Sequence, residues 1–149
     1  MFIMIGISVV IMGSCVVIDQ LSKQSARRKL TQVTLQKGYF SFALVKNKGA
    51  FRGILKDNKQ LLLVIQVVSM LIIGLMLGFF MNKKDKTTTV GLSLILGGAI
   101  GNLLDRVKDG YVTDFFAIKW TKDLYYNLAD MFIFLGAIIL MVREFFRPA

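Results

Sequence analysis

The chain has 149 residues, 55% of them hydrophobic, and sets 19 Lys and Arg against 9 Asp and Glu for a formal net charge of +10. One Cys and no His exclude an internal disulfide, His-based catalytic triads and His-ligated metal sites. A mean hydropathy of +0.62 indicates a membrane protein, and basic residues scattered between apolar runs suit anionic lipid headgroups rather than nucleic acid.

Residues 2–18 are apolar, broken only by Gly and Ser. About 20 such residues cross the hydrocarbon, so a first span is predicted almost at the start. Met12-Gly13-Ser14-Cys15 faintly resembles the lipidation box of a lipoprotein precursor. No Lys or Arg precedes it, however, and Val16-Val17-Ile18 continue the apolar run, so Cys15 is read as a packing residue. Asp19 and Lys23 close the span four positions apart. They form either a pair on one helix face or a solvated helix end, and spacing leaves both open. Ser22 and Lys23 point about 100° apart on a helix, which rules them out as a nucleophile and its base.

Residues 24–60 form the largest piece between spans. Tyr39 to Val45, rich in aromatic and β-branched residues after Gly38, predicts a strand or hairpin on the membrane surface. Asn47-Lys48-Gly49-Ala50-Phe51 reads as a turn. Residues 61–81 make the second span, interrupted by Gln66, Ser69, Gly74 and Gly78, the glycines suiting close helix approach. After a polar connection, the third span covers about 90–104 and carries Gly97, Gly98 and Gly101. Asn102, Asp105 and Arg106 close it, with Arg106 able to hold a neighbouring carboxylate through two hydrogen bonds. A short polar loop leads to Asp114, directly before Phe115-Phe116. The last span, about 125–142, has Asn127 and Asp130 in its first turns. The predicted fold is an all-α membrane protein, one unit over residues 1–149, with four transmembrane helices and a small β-rich segment at 24–60.

Asp114 and Asp130 are the strongest candidates for chemistry. Each lies where an apolar run meets water, and an ionisable group there is costly unless paired or solvated. Two carboxylates within hydrogen-bonding range share a proton. The ionised one then takes a proton from water while the protonated one polarises a carbonyl. From two Asp alone, a capping residue and a salt-bridged residue is the competing reading. A proton or cation carrier is another, but four helices without an inverted repeat do not suit it.

The blocks Asp19-Gln20-x-Ser22-Lys23, Asn47-x-Gly49-Ala50, Gly97-Gly98-Ala99-x-Gly101-Asn102-x-x-Asp105-Arg106, Gly110-x-Val112-x-Asp114-Phe115 and Asn127-x-Ala129-Asp130 resemble those of the lipoprotein signal peptidase (signal peptidase II) family. The resemblance spans nearly the whole chain. It implies a membrane aspartyl endopeptidase that removes the signal peptide of diacylglyceryl-modified prolipoproteins, cutting before the lipidated Cys. Asp114 and Asp130 are the implied dyad. Asn47, Gly49, Asn102, Arg106 and Asn127 are implied around substrate and dyad, with Asp19 and Lys23 near the mouth. It implies no metal or cofactor. The protein is expected to be a monomer in the bacterial cytoplasmic membrane, contacting phospholipid and lipidated prolipoproteins, with the β-rich segment and the dyad at the extracytoplasmic face. After Ala50 the family usually has a small residue and an aromatic, where this chain has Phe51-Arg52. Charge points the other way. Lys83, Lys84, Lys86, Arg143 and Arg147 lie on the side of the termini and the other fourteen basic residues opposite, so the positive-inside rule alone would put the N-terminus outside.

Overall fold

A computed structural model describes residues 2–30, 35–49, 55–121 and 124–146. Four long helices and one small sheet alternate along the chain: α1 (Phe2–Lys29), β1 (Leu35–Lys37), β2 (Phe40–Asn47), α2 (Lys59–Asn82), α3 (Lys86–Asp109), β3 (Val112–Ile118) and α4 (Leu128–Phe145). The first three helices are long and apolar enough to cross a membrane. α4 has 18 residues and includes Asp130, Arg143 and Glu144.

α3 is the central helix, packed against the other three. Its small residues permit this. A Cβ on Gly98 would come within 2.4 Å of the Ala129 carbonyl oxygen on α4, and one on Gly101 within 2.6 Å of Asp19 Oδ2 on α1. Leu77, Leu92 and Leu96 form the apolar centre, with Met12, Ile73, Phe80 and Leu140 against it. On α2, by contrast, only Leu62 and Leu77 are buried. A Cβ on Gly74 or Gly78 would meet nothing within 4 Å, so the close approach expected there is absent among the described residues.

Side chains set the helix ends. Asn58 caps α2 by accepting from the Leu61 N–H, and Asp85 caps α3 by accepting from Thr88. Gly110, at φ 75°, ends α3 in the left-handed conformation that glycine adopts without strain. Asn127 starts α4 in a capping box with Asp130. That cap explains why the helix begins at Leu128 and leaves Tyr125 and Tyr126 outside, although apolar character begins at 125.

Two further features differ from the sequence reading. α1 runs past the apolar stretch through Asp19, Lys23 and Arg27 to Lys29, because Asp19 and Lys23 find buried partners on α3 and α4. The β-rich piece therefore starts at β1 and not at residue 24. The stretch read as a polar loop contains β3, and the antiparallel sheet has the order β1-β2-β3. Val45 faces Asp114 and Asn47 faces Val112, after a register shift between Phe42 and Val45. One extra residue on β2 at that point re-aims the strand beside Asp114. Ala50 and Phe51-Arg52 lie outside the described residues.

Candidate active site

Asp114 sits in the middle of β3, 2% exposed. Its Oδ1 accepts from Asn127 Nδ2 at 2.7 Å and its Oδ2 from Asn47 Nδ2 at 2.9 Å. Asn47 ends β2, diagonally across the sheet from Asp114, within reach of a side chain on the same face. Asp130 lies in the first turn of α4. Its Oδ1 accepts from Asn102 Nδ2 at 2.9 Å and its Oδ2 from the Asn127 backbone N–H at 3.2 Å. Asn127 therefore touches both carboxyls, one through its side chain and one through its backbone.

The carboxamides are oriented by what lies behind them. Asn102 Oδ1 accepts from Lys23 Nζ at 3.0 Å and from Asn127 Nδ2 at 3.1 Å, so its NH2 must face Asp130. Asn127 Oδ1 accepts from the Asp130 N–H, which turns its own NH2 toward Asp114 and Asn102. Asn47 Oδ1 accepts from the Gly49 N–H at 3.1 Å, which leaves its NH2 for Asp114.

Asp19 and Lys23 do not lie at a mouth: they are 0% and 1% exposed. They pair at 2.7 Å, which resolves the alternative left open by spacing. Lys23 also meets Asp105 Oδ2 at 3.2 Å, and Asp19 Oδ1 accepts from the Ala129 N–H at 2.9 Å. A buried ion needs such partners, since removing one leaves an uncompensated charge. The group ties α1 and α3 to the start of α4 and supports Asn102 from below. Arg106 holds no carboxylate among the described residues. Its Nη1 donates to Gln66 Oε1 and its Nη2 to the Gly49 carbonyl, each at 2.9 Å. The neutral acceptors stand nearer because α2 and the end of β2 flank this face of α3.

Burial pushes the Asp114 carboxyl up to about 7, and the neighbouring Asp130 charge adds to the effect. The Asn47 and Asn127 donors oppose it. Among the described residues, no group of three or more His, Cys, Asp or Glu is placed to hold a metal ion.

The structure thus gathers Asn47, Asn102, Asn127, Asp114 and Asp130 into one frame, with Asp19 and Lys23 beneath and Gly49 and Arg106 to one side. Sequence reasoning missed Gln20, whose Nε2 donates to Asp105 Oδ1 and the Gly101 carbonyl. It also missed Gln66 and the Arg27–Thr113 contacts. Gln66 did carry a signal, as a carboxamide inside an otherwise apolar span.

A family model described as signal peptidase (SPase) II matches residues 3–146. The chain is 37% identical over 144 residues to a lipoprotein signal peptidase of Clostridium tetani, covering 91% of this chain and 89% of that one. It is 38% identical over 145 residues to a lipoprotein signal peptidase of Caldanaerobacter subterraneus, covering 94% and 97%. Among solved structures, one described as a bacterial membrane enzyme superposes with a TM-score of 0.78 at 27% identity, covering 95% of this chain and 88% of that chain.

Proposed function

The chain belongs to the signal peptidase II family, and from that membership we propose that Asp114 and Asp130 are the pair of carboxyls with which it cuts. It is an aspartic-type, multi-pass bacterial membrane peptidase that removes signal peptides from lipoproteins. The bond cut is the one preceding the diacylglyceryl-modified Cys of the precursor.

The observation that carries the residue assignment is the shared frame of Asn127. Its side chain donates to Asp114 while its backbone donates to Asp130. Two carboxyls held so close to one residue share a proton below neutrality. Asp114, whose carboxyl titrates near 7, is the protonated member and polarises the scissile carbonyl. Asp130, in the first turn of α4 where the positive end of the helix dipole favours its ionised form, takes a proton from the attacking water. The tetrahedral intermediate then collapses as Asp130 returns that proton to the leaving amine.

α4 is the fourth span in this reading, with its cap and dyad residue at the water interface. The sheet and dyad lie at the extracytoplasmic face of the cytoplasmic membrane, where lipidated precursors reside. The enzyme works as a monomer surrounded by phospholipid. Exposed Trp120 and Tyr39, edge-on at 6.0 Å between centroids, suit the headgroup layer. Exposed Lys37, Lys46, Lys48 and Lys119 nearby suit anionic lipid.

The test is cleavage of one precursor peptide, lipidated and unlipidated, in the same detergent micelle. Each buried methylene contributes about 0.8 kcal/mol toward membrane residence, so the lipidated form should have the higher kcat/KM, and Asp114→Asn or Asp130→Asn should abolish turnover. Equal kcat/KM for the two peptides would indicate a general membrane aspartyl protease. Retention of a tenth of activity, ~1.4 kcal/mol in barrier, by either variant would remove that residue from the pair.

A further inference from the structure

Gln66 stands in the first half of α2, the helix with the fewest buried residues for its length. A carboxamide at that depth costs free energy unless both ends are bonded. Both are: Nε2 donates to the Ala99 carbonyl of α3 at 3.0 Å, and Oε1 accepts from Arg106 Nη1 at 2.9 Å. The first bond fixes which way the amide faces, so that its oxygen is presented to the guanidinium.

Arg106 is in turn held by little else. Among the described residues it has no ion pair, and its Nε is buried without a partner. Its planar fork is oriented by two neutral oxygens, Gln66 Oε1 on one side and the Gly49 carbonyl on the other. From Gly49 the chain of contacts runs on without a gap. The Gly49 N–H donates to Asn47 Oδ1, and Asn47 Nδ2 donates to Asp114 Oδ2 at 2.9 Å.

We propose that Gln66 is a positioning residue for the peptidase reaction, acting through Arg106 and Gly49 to hold the Asn47 carboxamide on Asp114. The proposal rests on the reading of Asp114 as a member of the dyad. It gives α2 a part in the chemistry although it lends no group to the reacting atoms. Without the Gln66 oxygen, Arg106 Nη1 joins Nε in having no partner among the described residues, and the guanidinium is free to swing away. The Gly49 peptide then loses its outside anchor, and Asn47 is no longer obliged to face Asp114.

Two substitutions of similar shape separate the two bonds of Gln66. Gln66→Met removes both, and Gln66→Glu keeps the acceptor for Arg106 while losing the donor to Ala99. On the lipidated precursor, Gln66→Met should lower kcat about tenfold with KM within about twofold, as for an interaction expressed in the transition state. Gln66→Glu should recover most of that loss. If α2 merely needs its bond to Ala99, the two variants will be equally impaired, which overturns the proposal.

A second readout needs no turnover. Carbon-13 NMR of Asp-labelled protein in micelles, with the Asp114 signal assigned by its loss in Asp114→Asn, follows the titration of that carboxyl. Asn47 donates to the ionised form, so its release in Gln66→Met should raise the midpoint, and Gln66→Glu should leave it closer to the wild-type value. An unmoved midpoint in folded Gln66→Met overturns the proposal. Wild-type protein that leaves the precursor intact would instead overturn the peptidase reading, while the midpoint shift would still decide the role of Gln66.

Discussion

Burial gives Asp114 a proton that an exposed aspartate would have lost. Its carboxyl is raised from 3.8 to about 7, by desolvation first and the Asp130 charge second. A carboxyl raised on folding binds its proton more tightly in the folded state. It therefore adds stability at acid pH and subtracts it as pH climbs from the unfolded range of about 4 toward 7. On the proposed mechanism the reaction needs the same proton, so kcat/KM should fall as pH rises through about 7, and thermal stability should decline over the rise from about 4 to 7. The midpoint read from rates belongs to the pair and not to one residue. An alkaline limb only near 10, the range of Tyr or Lys, would place the essential proton elsewhere. If each carboxyl does half of one proton relay, as proposed, the double Asp→Asn variant should be no less active than either single variant. Additive losses on a sensitive assay would mean that the two act separately.

At the scale of elements, close helix packing and open glycine faces make opposite predictions for one substitution. Gly98→Ala drives a methyl toward the Ala129 carbonyl and should cost about 1–3 kcal/mol, as overpacking does. Gly78→Ala meets nothing within 4 Å and should stay within about 0.5 kcal/mol or stabilise α2 slightly. Thermal unfolding of both in one detergent distinguishes them, and equal melting temperatures would mean that α3 and α4 are not in that contact. The helices were legible in the sequence because long apolar runs have few other uses. Asp114 and Asp130 stood out because carboxylates at the ends of such runs demand a reason, and the structure brings both onto Asn127. β3 was not, since seven residues with Asp near the centre, Val112 to Ile118, give too short an alternation to outweigh the polar residues before them. The partners of Asp19 and Lys23 were hidden for another reason. A polar residue at a helix end looks the same in sequence whether it meets water or Asn102, and only the packing of α1 on α3 decides. The bidentate carboxylate expected for Arg106 failed likewise, because a carbonyl such as Gly49 leaves no mark in the sequence.

For the whole molecule, orientation is the sharpest question, because the basic residues crowd on the sheet side. A Cys introduced at Lys56 should react with an impermeant reagent added from outside intact cells. One at Lys84 should react only after the membrane is opened, with buried Cys15 silent in both. The reverse pattern would make the charge rule right and the proposed orientation wrong. If the basic face meets anionic headgroups, activity should be higher in bilayers containing phosphatidylglycerol than in pure phosphatidylcholine. Added salt should narrow that gap, since screening acts within about 10 Å at 0.1 M. Indifference to lipid charge would reduce the lysines to a solubilising rim. The capping box of α4 has a consequence in time as well as space. Asn127 and Asp130 are the latest-made members of the frame, and Asp19 waits for the Ala129 N–H. A nascent chain that has already threaded three helices into the bilayer holds Asp114 with no Asn127, no Asp130 and no closed seam between α1 and α4. If Asp114 and Asp130 are the cutting pair, the protease comes into being only when α4 leaves the ribosome, and every arrested or truncated product that stops short of it should be inert toward the membrane that received it.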